Sequence, residues 1–263
     1  QRQMCIRDRL QWARYLMATD DLDACLAELL ALAQRRPNWG LVQFELAELW
    51  TRKDNLDAAL PHLKRAMSSE DVALESKLRV LLGYGLLAQE DASYRDAYST
   101  LLERMMAAHG EEPAVVELAC DWAYQNNALE EALDLALLLL ELAPGSVETW
   151  TNLMAIRVDL RQWAPMAADA ESAIARFPLD PLLYYYRGLA LGETGQHELA
   201  VKAYEGGLNV VLDNPMLEGA LASALASALR EVNDLDQSEV AFERSLRAME
   251  DAFVLNNLSL IHI

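Results

Sequence analysis

The chain has 263 residues, of which 53% are apolar and 24% charged, and its 22 Lys and Arg stand against 41 Asp and Glu for a formal net charge of −19. That balance excludes a disordered or collagen-like polymer, and so large an acidic excess argues against nucleic acid or an anionic membrane as partner, since both need a basic face. The longest apolar run, Leu135 to Leu140, is flanked by Asp134 and Glu141 and is too short to insert in a bilayer. Three cysteines cannot build a disulfide framework.

Taken in chain order, Gln1 to Arg9 (QRQMCIRDR) depart from the pattern of everything that follows, as do Leu258 to Ile263 (LSLIHI) at the other end. Both resemble translated sequencing-adapter DNA, so residues 1–9 and 258–263 are expected to be non-native and the chain to be a fragment of a longer protein. Cys5 and His262 then carry no function, and the net charge of the remainder becomes −21 after loss of Arg2, Arg7, Asp8 and Arg9.

From residue 10 onward, small and apolar residues recur with a period of about 34. The first unit, 10–39, carries Trp12, Ala13, Leu16, Cys25, Leu29 and Pro37; the second, 40–73, carries Leu46, Ala47, Trp50, Ala59, Leu63 and Ala66. The third, 76–112, is looser, with Gly83, Leu86, Tyr94, Ala97 and Leu101 and about two extra residues in its turn. Three contiguous units follow at 113–146, 147–180 and 181–214. Ala132, Met166 and Ala200 hold their twentieth places, and Ala136, Ala170 and Tyr204 their twenty-fourth. Leu139, Ala173 and Gly207 hold the twenty-seventh, and turns are expected at Asn126-Asn127, Arg161-Gln162 and Gly195-Gln196. After an insertion at Pro215 to Glu218, the seventh unit, 219–251, has Ala226, Leu229, Leu235 and Phe242, and Leu255 to Leu258 look like the opening of an eighth. Asp20-Asp21, Asp54-Asn55 and Asn233-Asp234 precede second helices, where short polar side chains cap open backbone amides.

This pattern resembles the tetratricopeptide repeat, whose signature runs Trp-x2-Leu-Gly-x2-Tyr, Ala-x3-Phe, Pro. Trp150, Leu153, Ala170, Ala173 and Pro178 sit at its spacings, as do Gly188, Leu191, Ala200 and Tyr204 in the next unit. The resemblance implies an all-α fold, an α-solenoid forming a right-handed superhelix of antiparallel helix pairs. Large side chains such as Trp12, Trp50 and Trp150 are expected to fill gaps between helices, with Ala and Gly at the close crossings.

No catalytic constellation emerges. His62, His109 and His197 lack partners at metal-binding spacing and are assigned to surface or capping places, the last in a turn. Cys25 and Cys120 occupy small-residue packing positions three repeats apart, too far to bridge. Gly83-Tyr84-Gly85 falls within a helical stretch rather than opening a phosphate loop, there is no Gly-x-Ser-x-Gly motif, and Glu111-Glu112 and Glu130-Glu131 are simplest as solvated surface. No catalytic residue, cofactor or metal is expected.

In tetratricopeptide proteins the first helix of each pair lines a concave groove. Mapped by register, that resemblance places Phe44, Glu45, Glu48 and Arg52 there, then Glu117, Asp121, Tyr124 and Gln125. Glu148, Thr151, Asn152 and Asp159 follow, and finally Tyr185, Tyr186 and Glu193. An acidic, aromatic groove suits a protein or peptide segment carrying Lys or Arg beside apolar anchors, so the implied function is a non-catalytic interaction scaffold. The alternative is the recognition arm of a larger enzyme, a glycosyltransferase, sulfotransferase or signalling protein. The carboxylate clamp of some members of that family, built from Lys, Arg and Asn, is disfavoured: Asn152 matches one Asn place, but the clamp places of the units before and after it hold Glu117, Asp121, Leu182 and Tyr186. Terminal repeats with open apolar faces allow self-association. The compartment is left open between cytoplasm and periplasm.

Overall fold

A computed structural model describes the backbone of residues 6–261 and the side chains of residues 6–250. Among the described residues there is no strand, and fourteen α-helices pack in adjacent pairs. The chain divides into two compact units, Gln1–Ala119 and Cys120–Ile263, and the division falls inside a helix.

The first unit holds α1 (Ile6–Ala18), α2 (Leu22–Arg35), α3 (Gly40–Arg52), α4 (Leu56–Met67), α5 (Leu74–Glu90), a 3₁₀ turn at Ala92–Tyr94, and α6 (Arg95–His109). Helix α7 (Pro113–Gln125) carries the division. The second unit continues with α8 (Leu129–Leu142), α9 (Val147–Asp159), α10 (Trp163–Arg176), α11 (Pro181–Glu193), α12 (His197–Val210), α13 (Pro215–Glu231) and α14 (Leu235–Ile261). From α8 to α14 each helix packs on the next. In the first unit α2 packs on α3 and α3 on α4, but beyond its own pair α4 rests on α6 rather than on α5.

The turn within a pair is the same device six times. Asp20, Asp54, Asn127, Arg161, Gly195 and Asn233 adopt left-handed backbone, with φ of 63°, 55°, 58°, 53°, 76° and 63°. The following amide bonds back to a carbonyl five residues earlier, as from Asp21 to Leu16, Asn55 to Trp50, Gln162 to Arg157 and Gln196 to Leu191. This Schellman closure satisfies the last carbonyls of one helix while reversing the chain, and Asp, Asn and Gly tolerate its φ best. The residue after it opens the second helix: Asp21, Asn55 and Asp234 accept from the amides of Ala24, Ala58 and Gln237. The third pair lacks the left-handed residue; there Asp91 accepts from the Ser93 amide and the 3₁₀ turn takes up the added length.

Helix crossings within a pair are close because small residues face each other twelve positions apart. The Cys25 thiol donates to the Ala13 carbonyl, the Cys120 thiol to that of Ala132 and the Ser238 hydroxyl to that of Ala226, all buried. At the same crossing in the α11–α12 pair stands Gly188, where a Cβ would come within 2.4 Å of the Tyr204 ring.

Several expectations are corrected. Trp12 fills no gap between helices: it is 44% exposed and stacks on Tyr15, itself 57% exposed, with centroids 5.3 Å apart. Trp150 is buried and Trp50 partly so, against the cluster around Leu46 and Leu49. His197 opens α12 rather than lying in a turn, and the residues expected to begin an eighth unit, 255–258, continue α14 without a break. Of the ends expected to be non-native, residues 1–5 (with Cys5) and 262–263 (with His262) lie outside the described residues, while Ile6 to Arg9 begin α1, with Arg9 2.6 Å from Glu28.

Candidate functional site

The second unit brings five of the sequence-derived groove residues onto three successive first helices. On α7, Asp121 and Tyr124 are three residues apart and share a face. The Tyr124 hydroxyl donates to Oδ2 of Asp159 on α9 at 2.7 Å, a bond that raises the phenol's pKa. Tyr186 on α11 is half-buried, and its pKa rises from burial first, then from Tyr185 and the charge of Asp159. Tyr185 lies edge-on to Tyr186 at 6.0 Å and tilts against Tyr204 of α12 at 6.2 Å. Asp121 is exposed, yet desolvation by its surroundings raises its carboxyl pKa. The result is a strip that carries Asp121 and Asp159 beside the rings of Tyr124 and Tyr186, with Asp159 bonded to the first and close enough to act on the second.

Three further expected residues flank this strip. Asn152 is exposed two turns before Asp159 on α9, and Glu193 is exposed two turns after Tyr186 on α11. Glu148 is also exposed but is engaged locally: the Ser146 hydroxyl, which caps α9, donates to its carboxylate at 2.7 Å and holds its pKa below the usual range.

In the first unit the expected residues do not act alike. Glu45 is buried and accepts from the Arg14 guanidinium; burial raises its pKa, and Arg14 opposes that rise. Its side chain is spent within the fold, so it has little to offer a partner. Phe44 and Glu48 instead line a cleft of about 290 Å³ beside α5. Glu117 is exposed on the first half of α7. Arg52 donates to the Met17 carbonyl and pairs with Asp20 at 3.6 Å, closing the first turn.

Two of the histidines expected at surface or capping places, His62 and His109, are instead partly buried and bonded within the fold. His62 Nδ1 lies 2.7 Å from Gln43 Oε1, and His109 Nε2 lies 2.8 Å from Nζ of Lys77, a fully buried lysine that also donates to the Ser69 carbonyl. Burial lowers the pKa of all three groups. Sequence reading missed Lys77 because a lysine at an apolar helical position carries no mark of burial. It also missed the cleft between α4 and α5, although the loose third unit pointed there. Among the described residues no group of three or more His, Cys, Asp or Glu is placed to hold a metal ion, and no helix is long and apolar enough to cross a membrane.

No known protein-family pattern matches the chain, and no curated protein does. Solved structures do. That of MamA from residue 41 to its end, from Desulfovibrio magneticus RS-1, is 14% identical, covers 68% of this chain and 98% of its own, and superposes with a TM-score of 0.57. Two further MamA crystal structures are each 15% identical; they cover 67% and 69% of this chain, with TM-scores of 0.57 and 0.55. The fold is a tetratricopeptide-type helical repeat. At this identity the likeness concerns the path of the helices and carries no residue of the strip with it.

Proposed function

We propose that the chain is a non-catalytic interaction scaffold whose acidic, aromatic strip on α7, α9 and α11 takes a protein segment bearing Lys or Arg beside apolar anchors. The observation that carries this reading is the Tyr124–Asp159 bond, which links two first helices at the surface and leaves a carboxylate and a ring edge side by side. Carboxylates at the strip steer a basic segment, while Tyr185 and Tyr186 supply rigid contact area at small entropic cost. The all-helical repeat fold shared with MamA supports the reading through its architecture alone.

Selection of a displayed random-peptide library on the immobilised chain tests it. Enriched peptides should combine Lys or Arg with aromatic or branched apolar residues, and an Asp121→Lys, Glu193→Lys variant should lose them. Enrichment of acidic peptides, or equal capture by the variant, removes the strip from the account. Self-association is a second activity favoured by one observation: α14 exposes Leu235, Phe242, Leu246 and Met249 along one side. Light scattering over a concentration series should show assembly that Leu246→Glu abolishes; a monomer at all concentrations excludes it.

A further inference from the structure

In the first unit α5 stands off from α4, and two adjoining clefts open there. One, of about 290 Å³, is walled by Phe44, Leu63, Val80 and Leu87, with Glu48 and Arg79 of opposite sign on its lining. The other, of about 620 Å³, lies where α4 begins and carries Asp54, Asp57 and Asp96 together with Tyr94. Leu56 and Tyr84 line both.

Tyr84 is the second, independent sign of a ligand. It is only 6% exposed, and its hydroxyl has no hydrogen-bond partner. A buried hydroxyl left unpaired is unfavourable and is uncommon in folded proteins. Tyr84 itself lines both clefts, and burial raises its pKa to about 12, with Tyr94 and Asp57 of the acidic cleft the next contributors. The gap also has a filling that the sequence declines: Gly83 lines the apolar cleft, and a Cβ there would meet nothing within 4 Å.

We propose that these joined clefts bind a small organic amine: an ammonium group held by the Tyr84 hydroxyl and Asp57, and an apolar body seated against Phe44, Leu63 and Val80. A cation answers the three aspartates, an N–H donor answers the phenol oxygen, and the apolar wall suits a body of roughly ten heavy atoms in a cavity at the lower end of the usual ligand range. This site is independent of the strip on the second unit.

The test is calorimetric titration of the whole chain with 4-phenylbutylamine, and with its neutral counterpart 4-phenylbutanol, near neutral pH. The amine should bind at least tenfold more tightly than the alcohol. Asp57→Asn and Tyr84→Phe should each weaken the amine several-fold, and Asp57→Asn should leave the alcohol unchanged. Gly83→Leu should abolish both while melting no lower than the parent, since it adds a helix-forming side chain to open space; it should still bind peptides selected on the strip. No heat of binding at millimolar amine, equal binding of the alcohol, or unchanged binding by Gly83→Leu would each overturn the site. Tighter binding of an acetylated Phe-Lys amide than of the free amine would overturn a small-molecule ligand and make the cleft a peptide subsite.

Discussion

Two glycines four residues apart on α11 respond in opposite directions to the same substitution. Gly192→Ala adds a methyl that meets nothing within 4 Å, so the change acts mainly through the backbone, and Ala in place of helical Gly gains about 0.5–1 kcal/mol. Gly188→Ala gains the same intrinsic term, but its Cβ falls 2.4 Å from Cε1 and 2.7 Å from Cδ1 and Cζ of Tyr204. To restore ordinary van der Waals contact the ring must retreat by about 1 Å. Tyr204 is buried, tilted against Tyr185 and packed among Leu191, Leu221 and Leu225, so the retreat is resisted on every side. Overpacking costs about 1–3 kcal/mol, and with the ring held on every side about 2–3 kcal/mol is expected, which leaves Gly188→Ala less stable by about 1–2 kcal/mol after the helix gain. At about 2–4 °C per kcal/mol for a chain of this size, its melting temperature falls by roughly 2–8 °C, while that of Gly192→Ala rises by roughly 1–4 °C. Thermal unfolding followed by circular dichroism reads both. On a Tyr204→Leu background the Gly188→Ala change should become neutral or stabilising, because the ring it strikes is gone. Equal stability of the two single variants, or no relief in the double variant, refutes close helix crossing at Gly188 as the reason for the glycine.

Two further outcomes follow from buried charge. His62 and His109 both have folded-state pKa values below the ordinary 6.5, from burial first and then from Arg65 and Lys77 respectively. The unfolded state therefore binds more protons, so their contribution to stability is complete above about pH 6.5 and is lost as pH falls below it. Melting temperatures measured from pH 7.5 to 5.5 should decline, and His62→Gln, which can still reach Gln43, should flatten the decline; an identical slope in the variant contradicts the assignment. In the second unit Arg157, nearly buried, lies 2.6 Å from Asp169 and donates to Gln162 at 2.6 Å. Asp169→Leu strands that cation and should cost about 2–3 kcal/mol in urea unfolding, somewhat less than for a fully buried pair because Asp169 is partly exposed. Adding Arg157→Met should recover most of the loss, and a double variant as unstable as the single one excludes the stranded charge as the cause.

The helix pairs were legible in the sequence because their signals are local. Each turn needs one residue that tolerates left-handed backbone followed by one that caps, and Asp20-Asp21, Asp54-Asn55 and Asn233-Asp234 state that need in two letters. The small residues at the crossings are nearly as readable, since only packing places Ala, Cys, Gly or Ser there at a spacing of twelve. The strip was legible only in part. Register identifies which residues stand on a first helix, and Tyr124, Asp159 and Tyr186 do stand on α7, α9 and α11. It does not reveal which side chains a neighbouring helix will claim, and so Glu45 counted as surface although Arg14, 31 residues away, takes it into an ion pair. Trp12 shows the same limit: register marks the place of a large side chain in its unit and not how far other side chains cover it. The cleft around Tyr84 comes from a departure from the repeat, and periodicity describes only what repeats.

The central claim is that the surface carried by α9 between its neighbouring first helices is where a protein segment lies. A photo-crosslinking residue introduced at Asn152, exposed on that side of α9, tests this most directly when compared with one at Glu171, exposed on α10. With a peptide selected on the strip as the probe, irradiation should join peptide to the Asn152 position and not to Glu171, and excess unlabelled peptide should suppress the product. Crosslinking at Glu171 alone, or equally at both, would contradict the account.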